Sequence, residues 1–217
     1  MAFIWVALFL VLSVAKVSSD PSPLQDFCVA DLSTSAKVHV NGLPCINPSK
    51  VSAKHFTTSV LSTPGDTSGN PYGASVKTTT ANYLPGINTL GVIMTRVDLA
   101  VGGGIPPHYH PRASEIIYLL EGTLMAAIID TGNKLYSTEI KTGDVFVFPK
   151  AIMHYVQNIG NTTATVIAAF NSQSPGNAVI PFALFTSTPT IPNQVLAKTL
   201  QISDTEVVKI KKNFGTS

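Results

Sequence analysis

An all-β barrel or sandwich followed by short C-terminal helices is the fold class this 217-residue sequence predicts, and three observations carry the prediction. From residue 91 onward, apolar segments of about five to eight residues alternate with turn signals. Charged residues make up only 12% of the chain, about half the usual globular share, while Ser, Thr, Gly, Pro and Asn are plentiful. A helical period emerges only after Pro192. The chain is long enough for one full core and too short for two comfortable ones.

The predicted strand segments are 91–101, 115–120, 124–129, 134–140, 145–148, 154–158 and 163–170. Glu121-Gly122, Asp130-Thr131-Gly132-Asn133 and Thr142-Gly143-Asp144 separate them with residues that tolerate positive φ or bond their own backbone. Pro192 can sit at the first turn of a helix running to about Leu200, and Ser203-Asp204-Thr205-Glu206 offers a capping box for a second, ending near Phe214. These two helices are expected to pack on a neighbouring chain or on their own barrel. Residues 20–86 lack sustained periodicity and read as an extended arm with short strands, leaving 87–190 for the barrel and 191–217 for the helices.

The first nineteen residues read as a secretory signal peptide. Residues 2–14 are apolar, and Val17-Ser18-Ser19 puts small residues at the −3 and −1 positions of a cleavage site. The n-region lacks Lys or Arg, which leaves a membrane anchor as the alternative, but the apolar run is short for a span. Fourteen Lys and Arg against twelve Asp and Glu give a net charge of +2, so no basic field invites nucleic acid. No later segment has the apolar length of a membrane span. In an oxidising compartment the only two cysteines, Cys28 and Cys45, read first as a disulfide; two buried thiols or a metal site are the poorer alternatives. Asn161-Thr162-Thr163 is an N-glycosylation sequon at a strand connection.

Three of the five histidines fall among the barrel segments, together with a carboxylate. His108 and His110 are two apart and would share one face of a strand. Pro111 breaks that strand, so the chain is expected to turn and Glu115 to open the next one. His154, after Pro149, could close the site from a facing strand. Burying three imidazoles and a carboxylate without a partner is costly, and a divalent cation supplies one for each. Three nitrogens and one oxygen suit Mn, Fe, Co, Ni or Zn better than Ca or Mg; an octahedral ion would keep about two positions open for water or substrate. His39 and His55, in the arm without spaced partners, read as ordinary surface or hydrogen-bonded residues.

The spacing is more specific than the composition. Gly102, five residues, His108, one residue, His110, four residues, Glu115, six residues and Gly122 resemble the first cupin motif throughout. Gly143, five residues, Pro149, four residues, His154, three residues and Asn158 resemble the second, except that Ala151 replaces the glycine two after the proline. Alanine there is expected to be tolerated if φ is negative and to strain the backbone if φ is positive. Gln25-Asp26-Phe27-Cys28-Val29-Ala30-Asp31, the stretch from Pro106 to Glu115, and Phe170-Asn171-Ser172-Gln173-Ser174-Pro175-Gly176 are similar to the plant germin and germin-like family over essentially the whole mature chain.

That resemblance implies a cupin β-jelly-roll barrel, a Cys28–Cys45 bridge, and manganese on His108, His110, Glu115 and His154. It also implies C-terminal helices that interlock subunits into a hexamer, a trimer of dimers, in the plant apoplast, with a role in defence or stress. Family activities are oxalate oxidation with release of hydrogen peroxide and superoxide dismutation; other members are described as auxin-binding or receptor-like. Oxalate-oxidising germins resemble one another in carrying Asn three residues before the first ligand histidine and again ten further back. Here these positions are Ile105 and Thr95, a poorer polar shell for a dicarboxylate. The resemblance therefore favours dismutase activity over oxalate oxidation, with a non-enzymatic wall or binding protein as the rival.

Overall fold

The computed structural model describes residues 25–33 and 41–216; the signal-peptide and His39 readings lie outside them. Among the described residues, ten strands form two five-stranded sheets packed face to face. The first has the order β1-β2-β9-β4-β7 and the second β10-β3-β8-β5-β6, with every described pairing antiparallel. The first sheet comprises β1 (Ala74–Thr78), β2 (Ile93–Leu99), β9 (Ala164–Phe170), β4 (Glu115–Glu121) and β7 (Val145–Phe148). The second comprises β10 (Ala178–Val179), β3 (Gly104–Tyr109), β8 (Met153–Asn158), β5 (Thr123–Ile129) and β6 (Leu135–Lys141).

The alternation of side chains explains the shared interior. Ile117 and Leu119 of β4 are buried while Ile116, Tyr118 and Leu120 are exposed, and β9 buries Val166 and Ala168 against them. Leu124 and Ala126 of β5 fill the same core from the other sheet. Short side chains at Ala126, Ala164 and Ala168, all fully buried, let the sheets approach closely. Gly122 links β4 to β5 at φ +97°, where a Cβ would come within 2.7 Å of the Ala164 Cβ.

Seven of the strands coincide with the predicted segments to within two residues at each end. β1 falls in the arm, among the short strands expected there, and extends the first sheet beyond β2. The Gly65 amide donates to the buried Asp98 carboxylate, which also pairs with Arg96 at 2.8 Å and so ties the arm to β2. A further helix, α1 (Ile180–Phe185), was not predicted; α2 (Asn193–Leu200) and α3 (Asp204–Asn213) were. Pro192 precedes α2 as its N-cap, and Ser203 with Glu206 forms the expected capping box of α3. The helices build a small core of their own, in which Phe185, Leu196 and Val207 are buried together.

Cys28 and Cys45 are disulfide-bonded, with a Cα–Cα distance of 4.9 Å. Alongside the bridge, Ala30 pairs with Cys45, and the Asn88 side chain bonds both the amide and the carbonyl of Leu43. Because the bridge spans 17 residues, its loss in a Cys28→Ser/Cys45→Ser variant should cost about 3 kcal/mol of stability on the loop-entropy model. The shift of the denaturant midpoint measures it.

Candidate metal centre

β3 reads Gly-Ile-Pro-Pro-His-Tyr, and its two prolines bring no backbone donor to the ladder. The register slips there: Ile105 lies opposite Val156 and His108 opposite His154, so β3 carries one extra residue as a bulge. Residues 105 and 108, three apart, consequently face the same interior. His110 lies just beyond the end of β3, so it reaches the site from the turn rather than by strand alternation. There its Nδ1 bonds the carbonyl of Gly176. Gly176 holds φ +70°, and Pro111 would meet a Cβ there at 2.9 Å, so a side chain would force this loop away from His110.

Glu115 opens β4, as the turn at Pro111 requires, and it supplies the site from the other sheet. His154 corrects one expectation: its strand, β8, does not face β3 but is its neighbour in the same sheet, because the bulge sets His108 directly opposite it. Ala151 holds φ +62° in the turn before β8, which the Ile152 amide closes onto the Pro149 carbonyl. The motif alanine therefore adopts the left-handed conformation that favours glycine. Its amide donates to the carbonyl of His110, so the same turn braces the other ligand segment.

The four side chains are buried, and one ligand atom from each lies within 4.8 Å of the others. Glu115 Oε2 is 3.1 Å from His110 Nε2 and 3.2 Å from His154 Nε2. The Nδ1 atoms of His108 and His154 lie 2.9 and 2.8 Å from the carbonyls of Pro106 and Ile152. A carbonyl only accepts, so all three Nδ1 atoms carry a proton and every Nε2 is turned into the site; those of His110 and His154 donate to the Glu115 carboxylate while protonated and become lone-pair donors when a cation displaces that proton. Phe148 stacks on His154 at 4.3 Å, and Phe170 meets His110 edge-on at 4.9 Å. Three neutral nitrogen donors and one carboxylate, pinned from behind and shielded by rings, fit a divalent transition-metal ion.

The electrostatics favour the ligand form of Glu115 and His108, while His110 is drawn toward its protonated form. Burial alone would raise the Glu115 carboxyl, but hydrogen bonds from His110 and His154 overcome it and bring the pKa down to about 2. Burial and the neighbouring His154 push His108 down to about 4. Burial also opposes charge on His110, yet the Glu115 carboxylate and the Gly176 carbonyl outweigh it and raise this imidazole.

The four candidate ligands line a cavity of about 380 Å³ in the barrel interior, together with both Thr95 and Ile105. The Thr95 hydroxyl is 3.0 Å from that of Thr78 on β1, so the two satisfy each other. His55 accepts a hydrogen bond from the Ser52 amide in a 3₁₀ turn, the ordinary role expected of it. Asn161 is exposed in the connection between β8 and β9. The braces from Pro106, Ile152 and Gly176 went unforeseen, since a carbonyl has no signature among residue types. Phe148 was findable, because Phe146 and Phe148 alternate inward along β7.

A barrel of two antiparallel sheets with three histidines and a glutamate converging in its interior defines a cupin, and the Cupin family model matches residues 59–208. Within that family the chain belongs to the germin-like proteins. It is 47% identical to germin-like protein subfamily 2 member 1 of Arabidopsis thaliana, over 91% of this chain and 89% of that one. Nectarin-1 of Nicotiana plumbaginifolia is 46% identical over 91% of this chain and 84% of its own. Among solved structures, an oxalate oxidase in complex with the substrate analogue glycolate superposes with a TM-score of 0.86 at 44% identity, over 92% of this chain and all of that one.

Two outcomes follow for this site. Ala151→Gly removes the strain of a side chain at positive φ and should raise stability by about 0.5–1 kcal/mol, net of the backbone entropy glycine adds; equilibrium unfolding measures it. In the metal-free protein, folded His108 and Glu115 bind protons less readily than in the unfolded chain. Their contribution is full above about pH 6.5 and falls with acidification, from His108 between about 6.5 and 4 and from Glu115 between about 4.5 and 2. The raised His110 acts in the opposite sense, its contribution being lost as pH rises through its folded value. The urea midpoint should therefore drop from pH 6.5 to 4, and His108→Gln should flatten that slope.

Proposed function

We propose that this chain is a secreted, manganese-binding germin-like protein of the plant apoplast, acting in defence or stress as a superoxide dismutase and without oxalate oxidase activity. One observation carries the metal reading: three imidazole Nε2 atoms with their Nδ1 protons fixed, and one buried carboxylate, converge within 4.8 Å. Secretion is supported by the apolar run at 2–14, the small residues before Asp20, and a disulfide that needs an oxidising compartment. Among the described residues no helix is long and apolar enough to cross a membrane.

A bound manganese ion would supply one-electron redox cycling, and the chain would supply everything around it. His108, His110 and His154 would offer neutral nitrogen, Glu115 a charge-compensating oxygen, and Phe148 and Phe170 would limit water at two of the imidazoles. Dismutation asks little more of the protein, because its substrate is small and needs no elaborate polar cradle.

Oxalate oxidation is the second reading, favoured by the likeness to the glycolate-bound oxalate oxidase. Against it stand Ile105, which offers no hydrogen bond, and Thr95, whose hydroxyl is engaged by Thr78. The third reading is a non-catalytic auxin-binding, receptor-like or wall protein in which the metal holds the fold. We also propose a homo-oligomer, a hexamer built as a trimer of dimers. Its support is the outer face of the first sheet, where Ile116, Tyr118, Leu120, Val145 and Val147 are all exposed. A glycan on the exposed Asn161 belongs to the same reading.

Elemental analysis of the natively secreted protein tests the metal directly. The expected result is about one manganese per chain, lost in His108→Ala, with superoxide removal by the loaded protein faster than by that variant. Zinc in the wild type, or equal rates in the two, would overturn the dismutase and leave the binding role.

A further inference from the structure

The cavity beside the metal ligands is much larger than the substrates named so far. At about 380 Å³ it lies within the range of small-molecule sites and holds about a dozen water-sized groups. Superoxide has two atoms and oxalate six non-hydrogen atoms, so each leaves most of the volume unfilled.

Its lining is mainly apolar, with Thr78, Thr80, Thr95, Gln173, Ser174 and Asn177 the uncharged polar residues besides the imidazoles. Ile93 and Val97 come from β2, Ile117 from β4, Val166 from β9, and Ile105 and Val156 from the opposite sheet. The bulge in β3 turns Ile105 inward in line with His108, so this side chain stands next to the ligand set. The hydroxyls of Thr78 and Thr95 bond each other and offer little to a guest. Apart from Glu115, Arg112 is the one Lys, Arg, Asp or Glu among the described residues that line it. It is exposed, with Nε and Nη2 bonded to Ser174, and so marks the rim rather than the depth.

Charge narrows the guest further. A divalent ion with one carboxylate and three neutral imidazoles carries a net charge of +1, which one monoanion neutralises. A dianion would leave an excess negative charge beside apolar walls, at a high desolvation cost.

Building on the metal reading above, we propose that the ligand or substrate of this site is an apolar-bodied monocarboxylate of up to about a dozen non-hydrogen atoms. Its carboxylate meets the metal, and its body lies against Ile93, Val97, Ile105 and Val166. Arg112 at the rim draws the anion in.

Calorimetric titration of the manganese-loaded protein with acetate, hexanoate, benzoate and oxalate tests this. Each buried methylene tightens binding by at most about fourfold. Hexanoate and benzoate should therefore bind at least about tenfold more tightly than acetate or oxalate. Metal removal should abolish that binding, and Ile105→Phe, which fills the cavity, should lose hexanoate and benzoate while keeping acetate and the metal. Ile105→Asn should narrow the preference for hexanoate over oxalate.

Oxalate or acetate binding as tightly as hexanoate would overturn the proposal while leaving the metal centre standing. So would an unchanged preference in both Ile105 variants at full metal content. A wild-type chain that retains no metal would overturn the metal reading and, with its anchor gone, this proposal too; elemental analysis of the titrated samples separates the two failures.

Discussion

The interaction on which the rest depends is the meeting of the Glu115 carboxylate with His110 and His154 inside an apolar barrel. A carboxylate buried to this degree is costly unless its charge is answered, and two imidazole nitrogens within 3.2 Å answer it. Because Glu115 comes from one sheet and the three histidines approach from the strands and turn of the other, the cluster joins the two layers. These contacts keep Glu115 ionised, and burial beside His154 keeps His108 neutral, the forms a cation requires. Structure and chemistry here are one arrangement rather than a scaffold with a site added.

What makes the arrangement specific is its backing. Each imidazole is held from behind by a main-chain carbonyl, two of them only two residues earlier in the chain. Such short local bonds fix ring orientation without long side chains and their entropy cost. The price appears in the backbone, with a bulge at two prolines and an alanine at φ +62°. These irregularities sit where three imidazoles are aimed at one point, which is where a fold most often departs from regular geometry.

Much of this was legible in the sequence. The strands of the barrel were, because Gly, Asn and Asp punctuate them and their apolar residues alternate. The convergence of the four candidate ligands was, because three histidines and a glutamate in motif spacing have little other use in so charge-poor a barrel. The geometry behind them was not. Strict alternation cannot foresee that Pro106 and Pro107 insert a bulge, so the true neighbour of His154 stayed hidden. Nor can it foresee that His110 leaves the strand and leans on Gly176, a residue 66 positions away. α1 escaped because Ile-Pro-Phe-Ala-Leu-Phe is too short and too uniformly apolar to show a period.

The small helical core formed by Phe185, Leu196 and Val207 is distinct from the barrel interior and joined to it by the edge-on contact of Phe182 with Tyr72. Two hydrophobic nuclei in one chain need not melt together, because cooperative units follow clusters of mutual contact. The C-terminal helices can then open as a foldon at less than the free energy of global unfolding while the ligand set stays closed. Exchange of backbone hydrogens would resolve the chain into two tiers, with the histidine-bearing strands in the slower one.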